Sequence, residues 1–233
     1  MSVAERNSYL SDVTVVMRAH WPENRLVNII CHGHSVPAGY FATPMVDTFN
    51  AYPHLLHRGL KQRFPFAVIN VIVTAIGGET SESGSKRFED EALCHRPDVL
   101  TIDYGLNDRV IGLEKAKACW QQMIERALRR RAKIILLTPT PDATQFPNYA
   151  GADKENLPRH ADQIRRLAEH YEVGLADSFS MFRAYWETGD PWNLMSQSNH
   201  PNRGGHEIVA RELLRWFPAD EGAAPDATNL AKG

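Results

Sequence analysis

Four short stretches of this sequence bring together residue types that acyl chemistry uses. His32-Gly33-His34-Ser35 follows a first apolar run, Ala75-Ile76-Gly77-Gly78-Glu79-Thr80 a second, and Gly105-Leu106-Asn107-Asp108 a third. Asn199-His200-Pro201-Asn202, followed by Gly204-Gly205-His206, precedes the last helical pattern. Acyl transfer to water needs a nucleophile, a base within hydrogen-bond reach and donors aimed at the developing oxyanion. Ser35 supplies a hydroxyl where a strand should turn into a loop or helix, so its own N–H can also face a substrate. Gly78 can expose its N–H because no side chain blocks approach. Asn107 offers a side-chain NH2, and His200 lies in a turn-rich loop beside a helix start.

These residues need a scaffold, and the hydrophobic pattern supplies one. Apolar, β-branched runs at Leu26–Cys31, Ala67–Thr74, Val99–Tyr104 and Ile134–Thr138, with a weaker one at Val173–Ala176, read as strands buried on both faces. Helical stripes lie between them. One is Tyr52, Leu55, Leu56 and Leu60, with Asn50 as cap and Pro53 in the first turn. Ala116, Trp120, Met123, Ile124, Ala127 and Leu128 make the strongest, and Ala161, Ile164, Leu167, Ala168 and Tyr171 another. Val209, Leu213, Trp216 and Phe217 close the fold, and Leu10, Val13, Val16 and Met17 predict an extra helix within residues 1–24. Strand and helix alternate about five times, which predicts a parallel sheet with helices on both faces rather than an eight-unit barrel. In such a sheet ligands bind beyond the carboxyl ends of the strands, where the four stretches fall. One domain is expected over residues 1–217, with 218–233 a flexible tail. The long polar segment from Pro139 to Pro158 reads as functional or disordered.

Composition narrows the partners. Lys plus Arg number 26 against 28 for Asp plus Glu, which gives nucleic acid or an anionic membrane no electrostatic hold. No run reaches the roughly 18 apolar residues that span a bilayer. Residues 1–10 hold no apolar signal core, so a cytoplasmic location is expected. Cys31, Cys94 and Cys119 are odd in number and lack C-x-x-C spacing, as for free, mostly buried thiols in a reducing compartment. His32, His34, His200 and His206 do not match metal-ligand spacing, so neither metal nor other cofactor is expected. Gly77-Gly78 is no phosphate loop, and Gly33-His34-Ser35-Val36-Pro37 is not the Gly-x-Ser-x-Gly elbow.

The four stretches, in this order, resemble the blocks of the SGNH (GDSL-like) hydrolases. Gly33-His34-Ser35 stands at the Gly-Asp-Ser block, Gly78 at the glycine block, Asn107 at Gly-x-Asn-Asp, and His200, with Pro201, Asn202 and Gly205, at the histidine block. The resemblance implies an α/β fold, a flavodoxin-like three-layer α/β/α sandwich with a central five-stranded parallel sheet. It implies metal-free hydrolysis of esters or thioesters, with Ser35 as nucleophile, His200 as base, and the Ser35 N–H, the Gly78 N–H and Asn107 as oxyanion hole. Two positions depart from the family. His34 replaces the Asp before the serine, and Gln197 replaces the Asp three residues before the histidine. Gln197 is expected to orient His200 through its amide oxygen, with a backbone carbonyl in 195–199, Asp190 or Asp177 as alternatives. Loss of a charged partner can cost about 10⁴ in rate in a serine protease. Tyr40, Phe41 and Trp192, with Met45 and Trp186, are expected as pocket walls. The expected partner is a small-molecule ester, short-acyl such as acetyl and carried on a carbohydrate. A thioesterase, a lysophospholipase or a catalytically silent ligand binder are the alternatives, and no oligomeric state follows from the sequence.

Overall fold

In the computed structural model, which describes residues 2–218, all five apolar runs form strands. They are β1 (Leu26–Gly33), β2 (Val68–Val73), β3 (Val99–Asp103), β4 (Lys133–Leu137) and β5 (Gly174–Ala176). They pair in parallel in the order β2-β1-β3-β4-β5. Parallel neighbours need a crossover connection, and helices supply it. After α1 (Ser11–Arg18) and the single turn α2 (Ser35–Ala38) come α3 (Tyr52–Arg63), α4 (Ser81–Arg87), α5 (Leu113–Arg129), α6 (Asn156–Tyr171) and α7 (Ser178–Trp186). A short antiparallel hairpin, β6 (Met195–Gln197) and β7 (His200–Pro201), precedes α8 (Arg203–Leu214).

Side chains alternate across a strand, so the sheet feeds two cores. Ile135 and Leu137 of β4 join Leu56, Leu60, Val209 and Leu213 under α3 and α8. Ile134 and Leu136 join Trp120, Met123, Ile124, Ile164 and Leu167 under α5 and α6. Burying one such Leu or Ile contributes about 1.5–3 kcal/mol, so the two-sided packing is what holds the strand ends in place. The chain leaves β1 for β2 at one edge, then crosses back to β3 on the other side of β1. The carboxyl ends of β1 and β3 therefore flank the switch point of the sheet, where ligands bind in open α/β folds. Ser35 follows β1 and Asn107 follows β3.

Some local expectations change. β2 is an edge strand and is not buried on both faces: Val68 and Asn70 are exposed. Ala51, not Asn50, precedes α3, and the Asn50 amide instead donates to Asp47. Leu128 is exposed on α5, and Trp216 and Phe217 are buried beyond the end of α8. Only Cys31 is a buried thiol, since Cys94 is exposed and Cys119 half-buried. The segment after β4 forms one turn at 143–145 before α6. Of the expected tail at 218–233, residues 219–233 lie outside the described residues.

Candidate active site

Ser35 is held by a close approach of β1 to β3. A Cβ at Gly33 would meet the Asp103 carbonyl oxygen at 2.5 Å, so only glycine lets the strands meet there. The His34 N–H donates to that same carbonyl at 3.2 Å. His34 then caps α2, its Nδ1 accepting from the Val36 N–H at 3.3 Å. Gly39 ends the turn with φ +92°, a left-handed conformation that glycine adopts without strain. As first residue of the turn, Ser35 has a backbone N–H with no partner among the described residues.

His200 comes from the β6–β7 hairpin. The Ser196 hydroxyl donates to the carbonyls of His200 and Pro201. Asn202 caps α8 by accepting from the Gly205 N–H at 3.1 Å, and a Cβ at Gly205 would meet the Leu194 carbonyl at 2.6 Å. This fixes the approach of His200, whose Nε2 lies 2.8 Å from Ser35 Oγ. Both residues are buried. Burial pushes the His200 pKa below its ordinary value, the Phe41 backbone opposes this, and charge on His34 lowers it further. Nδ1 makes no hydrogen bond of ordinary geometry among the described residues, which leaves the Phe41 backbone as the polar group favouring the protonated ring.

Gln197 does not orient His200. Its Oε1 accepts from the Thr43 N–H at 2.7 Å and its amide donates to Asn199 and Thr43. The hairpin places Gln197 across from His200 in register, but the side chain is spent on tying the hairpin to the loop after Tyr40. Asp190 caps the turn at Trp192, and Asp177 binds Arg165, Thr138 and Ser180.

The donor groups gather on the loops after β2 and β3. Gly78 has φ +80°, is exposed, and has open space where a Cβ would stand. Its N–H has no partner among the described residues. Asn107 donates one amide hydrogen to the Glu79 carbonyl at 2.9 Å, its one side-chain hydrogen bond among the described residues. Asp108 braces both loops: its oxygens accept from the Ser81 N–H and the Trp120 indole N–H, each at 2.7 Å. Burial raises its pKa, and these bonds oppose the rise. Glu79 is gripped by Arg87 through both carboxylate oxygens. Beneath it the Tyr104 hydroxyl reaches His32 Nε2 at 3.0 Å, and His32 Nδ1 meets Thr74 at 2.8 Å.

Of the expected pocket walls, Tyr40 stands at the site. Its ring lies 6.1 Å from that of His200 and covers Gly77, where a Cβ would come within 2.9 Å of it. Phe41 is buried against His206, with ring centroids 5.0 Å apart. Trp192 is half exposed and meets Phe146 edge-on at 4.8 Å, and Phe146 also meets Trp186. Met45 is exposed. The segment after β4 reaches the site too: the Ala143 N–H donates to the Ser198 carbonyl at 2.7 Å, and Asp142 pairs with Arg109 at 2.6 Å.

Sequence reasoning missed a second group beside Ser35. His34 Nδ1 is 3.3 Å from Ser35 Oγ, and His34 Nε2 faces Asp103 Oδ1 at 3.4 Å. The one signal was an acid closing the buried run Val99-Leu100-Thr101-Ile102-Asp103.

The model of the family described as GDSL-like Lipase/Acylhydrolase matches residues 31–208, well over half of the chain. An acetylxylan esterase of Geobacillus stearothermophilus is 24% identical over 172 residues, 67% of this chain and 75% of that protein. A solved catalytic mutant of Axe2, an acetylxylan esterase from the same organism, superposes with a TM-score of 0.73 at 20% identity, covering 87% of this chain and 97% of that one. The acetyl xylan esterase AlAXEase gives 0.69 at 23% identity, covering 80% and 98%. At these identities the structures speak for the shared fold. The catalytic mutants of Axe2 replace a serine, a histidine, and an aspartate three positions before that histidine. Three positions before His200 stands Gln197.

Proposed function

The chain belongs to the GDSL-like lipase/acylhydrolase family and is a carboxylic ester hydrolase, and from that premise we propose that it is a serine esterase releasing short acyl groups, acetyl first, from carbohydrate esters. The observation that carries this reading is the 2.8 Å approach of His200 Nε2 to Ser35 Oγ at the switch point of the sheet. The acetyl and carbohydrate parts draw on the acetylxylan esterase relatives.

In this mechanism His200 Nε2 accepts the Ser35 hydroxyl proton as Oγ attacks the ester carbonyl. The electron pair of the carbonyl moves onto its oxygen, which the Ser35 N–H, the Gly78 N–H and the second Asn107 amide hydrogen stabilise. Collapse expels the alcohol, which takes the proton from His200. Water, deprotonated by the same imidazole, then releases the acid. The neutral imidazole is the working form, and its burial favours that form. Among the described residues no carboxylate contacts His200, so its protonated state relies on the Phe41 backbone and on groups beyond the ring.

The test is hydrolysis of p-nitrophenyl acetate, butyrate and octanoate, and release of acetate from acetylated xylo-oligosaccharides, by the wild type and Ser35→Ala. The expected result is activity that is lost in Ser35→Ala and falls steeply beyond about four acyl carbons. Equal rates in both proteins would overturn Ser35 as nucleophile. A preference for octanoate would overturn the short-acyl reading.

A further inference from the structure

Two imidazoles come within reach of Ser35 Oγ. His200 Nε2 is at 2.8 Å and His34 Nδ1 at 3.3 Å. The far nitrogen of His34 faces Asp103 Oδ1 at 3.4 Å. Both of those atoms are buried, and neither makes a hydrogen bond of ordinary geometry among the described residues, so their approach to each other is a charge contact and not a formed bond. The second Asp103 oxygen accepts from the Tyr52 hydroxyl at 3.3 Å. A carboxylate withdrawn from water with two long polar contacts is expensive to maintain unless it serves another group. Here that group is an imidazole whose other nitrogen touches the reacting hydroxyl. Because Nδ1 accepts from the Val36 N–H, the ring carries its proton on Nε2, toward the acid.

We propose that His34, backed by Asp103, is a second proton acceptor for Ser35, so that an acid, an imidazole and the nucleophile form a second series of contacts beside that of His200. The proposal rests on Ser35 being the nucleophile. In this step the Ser35 proton passes to His34 Nδ1 as Oγ bonds to the ester carbon and the carbonyl pair moves to oxygen. His34 then carries both ring protons, and the Asp103 carboxylate 3.4 Å from Nε2 offsets the added charge. Nδ1 returns its proton to the departing alcohol. Taking that proton costs the Val36 cap bond, and the contact is longer, so His200 remains the principal base. The arrangement also accounts for both departures from the family pattern. The charge absent at Gln197 stands instead at Asp103, and His34 is the relay that reaches it. The other groups facing this pair are His200 and Asp108 around His34, and Tyr52 and Cys31 around Asp103.

The experiment is pre-steady-state acylation by p-nitrophenyl acetate from pH 5.5 to 9, with folding checked by circular dichroism at each pH. The proteins are wild type, Ser35→Ala, His200→Ala, His200→Ala/Asp103→Asn and His200→Ala/His34→Asp. Residual acylation in His200→Ala should exceed that of Ser35→Ala at least tenfold and fall as the pH drops. Asp103→Asn in that background should remove most of the excess. His34→Asp keeps a cap acceptor for Val36 and should remove it as well, which covers the case of Asp103→Asn failing to fold. A His200→Ala rate equal to that of Ser35→Ala, or an excess that survives both second substitutions, would overturn the proposal. Equal rates in the wild type and Ser35→Ala would instead sink the nucleophile assignment beneath it.

Discussion

Acid should unfold this protein through three buried histidines. Burial pushes His32 and His160 down to about 4 and His206 to about 3. Charge on Arg87 adds to the effect at His32, Arg109 at His160 and His200 at His206. The geometry at His206 shows why: its Nδ1 accepts the Tyr52 N–H at 3.2 Å, at the first turn of α3, so a proton there would face a donor. Above pH 6.5 these rings are neutral in both folded and unfolded chains. Below it the unfolded chain takes up protons that the folded one refuses until pH reaches about 4 or 3. Stability therefore falls through that window and levels off beneath it. From pH 7 to pH 5 each histidine should cost about 1.9 kcal/mol, and the three together about 5–6 kcal/mol. That is comparable with the whole stability of a typical domain, about 5–15 kcal/mol. Urea unfolding followed by tryptophan fluorescence at half-unit pH steps reads this directly. A stability that changes by less than about 1 kcal/mol between pH 7 and pH 5 would refute the reasoning.

Asn107→Ala removes both the proposed oxyanion donor and the bond to the Glu79 carbonyl, and should lower kcat by about 10²–10³ with little change in KM. Steady-state kinetics checks it, and a fall confined to KM would contradict the role. The acid limb of kcat/KM should lie below pH 6.5, since burial lowers the His200 pKa and the proposed mechanism uses the neutral ring. A pH profile with a midpoint at 7 or above would count against it. Asp108→Asn presents an NH2 to one of two N–H donors and should cost about 1–3 kcal/mol in urea unfolding. Wild-type stability in that variant would show that the two bonds carry no weight. Gly33→Ala forces a methyl against the Asp103 carbonyl and should cost about 1–3 kcal/mol as well as activity, measured by thermal melting and hydrolysis.

The sheet was legible because strands covered on both faces are mostly apolar, and β1, β3 and β4 each carry an apolar run despite polar residues such as His32, Thr101 and Asp103. β2 was misjudged as fully buried because strand order, not composition, decides which strand lies at an edge. The placement of Ser35, Gly78, Asn107 and His200 followed from one rule, that loops at strand ends gather ligands. What surrounds them did not follow. Gln197 turns to Thr43 because of where the loop after Tyr40 runs, and sequence spacing does not encode that path. Asp103 and His34 are 69 positions apart, and only the pairing of β1 with β3 brings them together. Phe41 read as a pocket wall because an aromatic ring near a nucleophile suggests one, yet its ring is covered by His206 and its backbone is what nears His200.

The segment after β4 acts as a girder with a free appendix. Asp142 and Ala143 connect the loop of Asn107, through Arg109, to the hairpin of His200, through Ser198. A few residues on, Gln145 donates to the Lys154 carbonyl at 2.7 Å and closes the base of a small protrusion, while Tyr149 and Asp153 bond across its tip. Neither tie of the girder involves residues 147–153, so exchanges there should leave the Arg109–Asp142 and Ala143–Ser198 contacts in place, and Phe146 at the root touches Trp192. The two ties and the protrusion are thus separate parts of one segment, the first joining two loops and the second closed on itself.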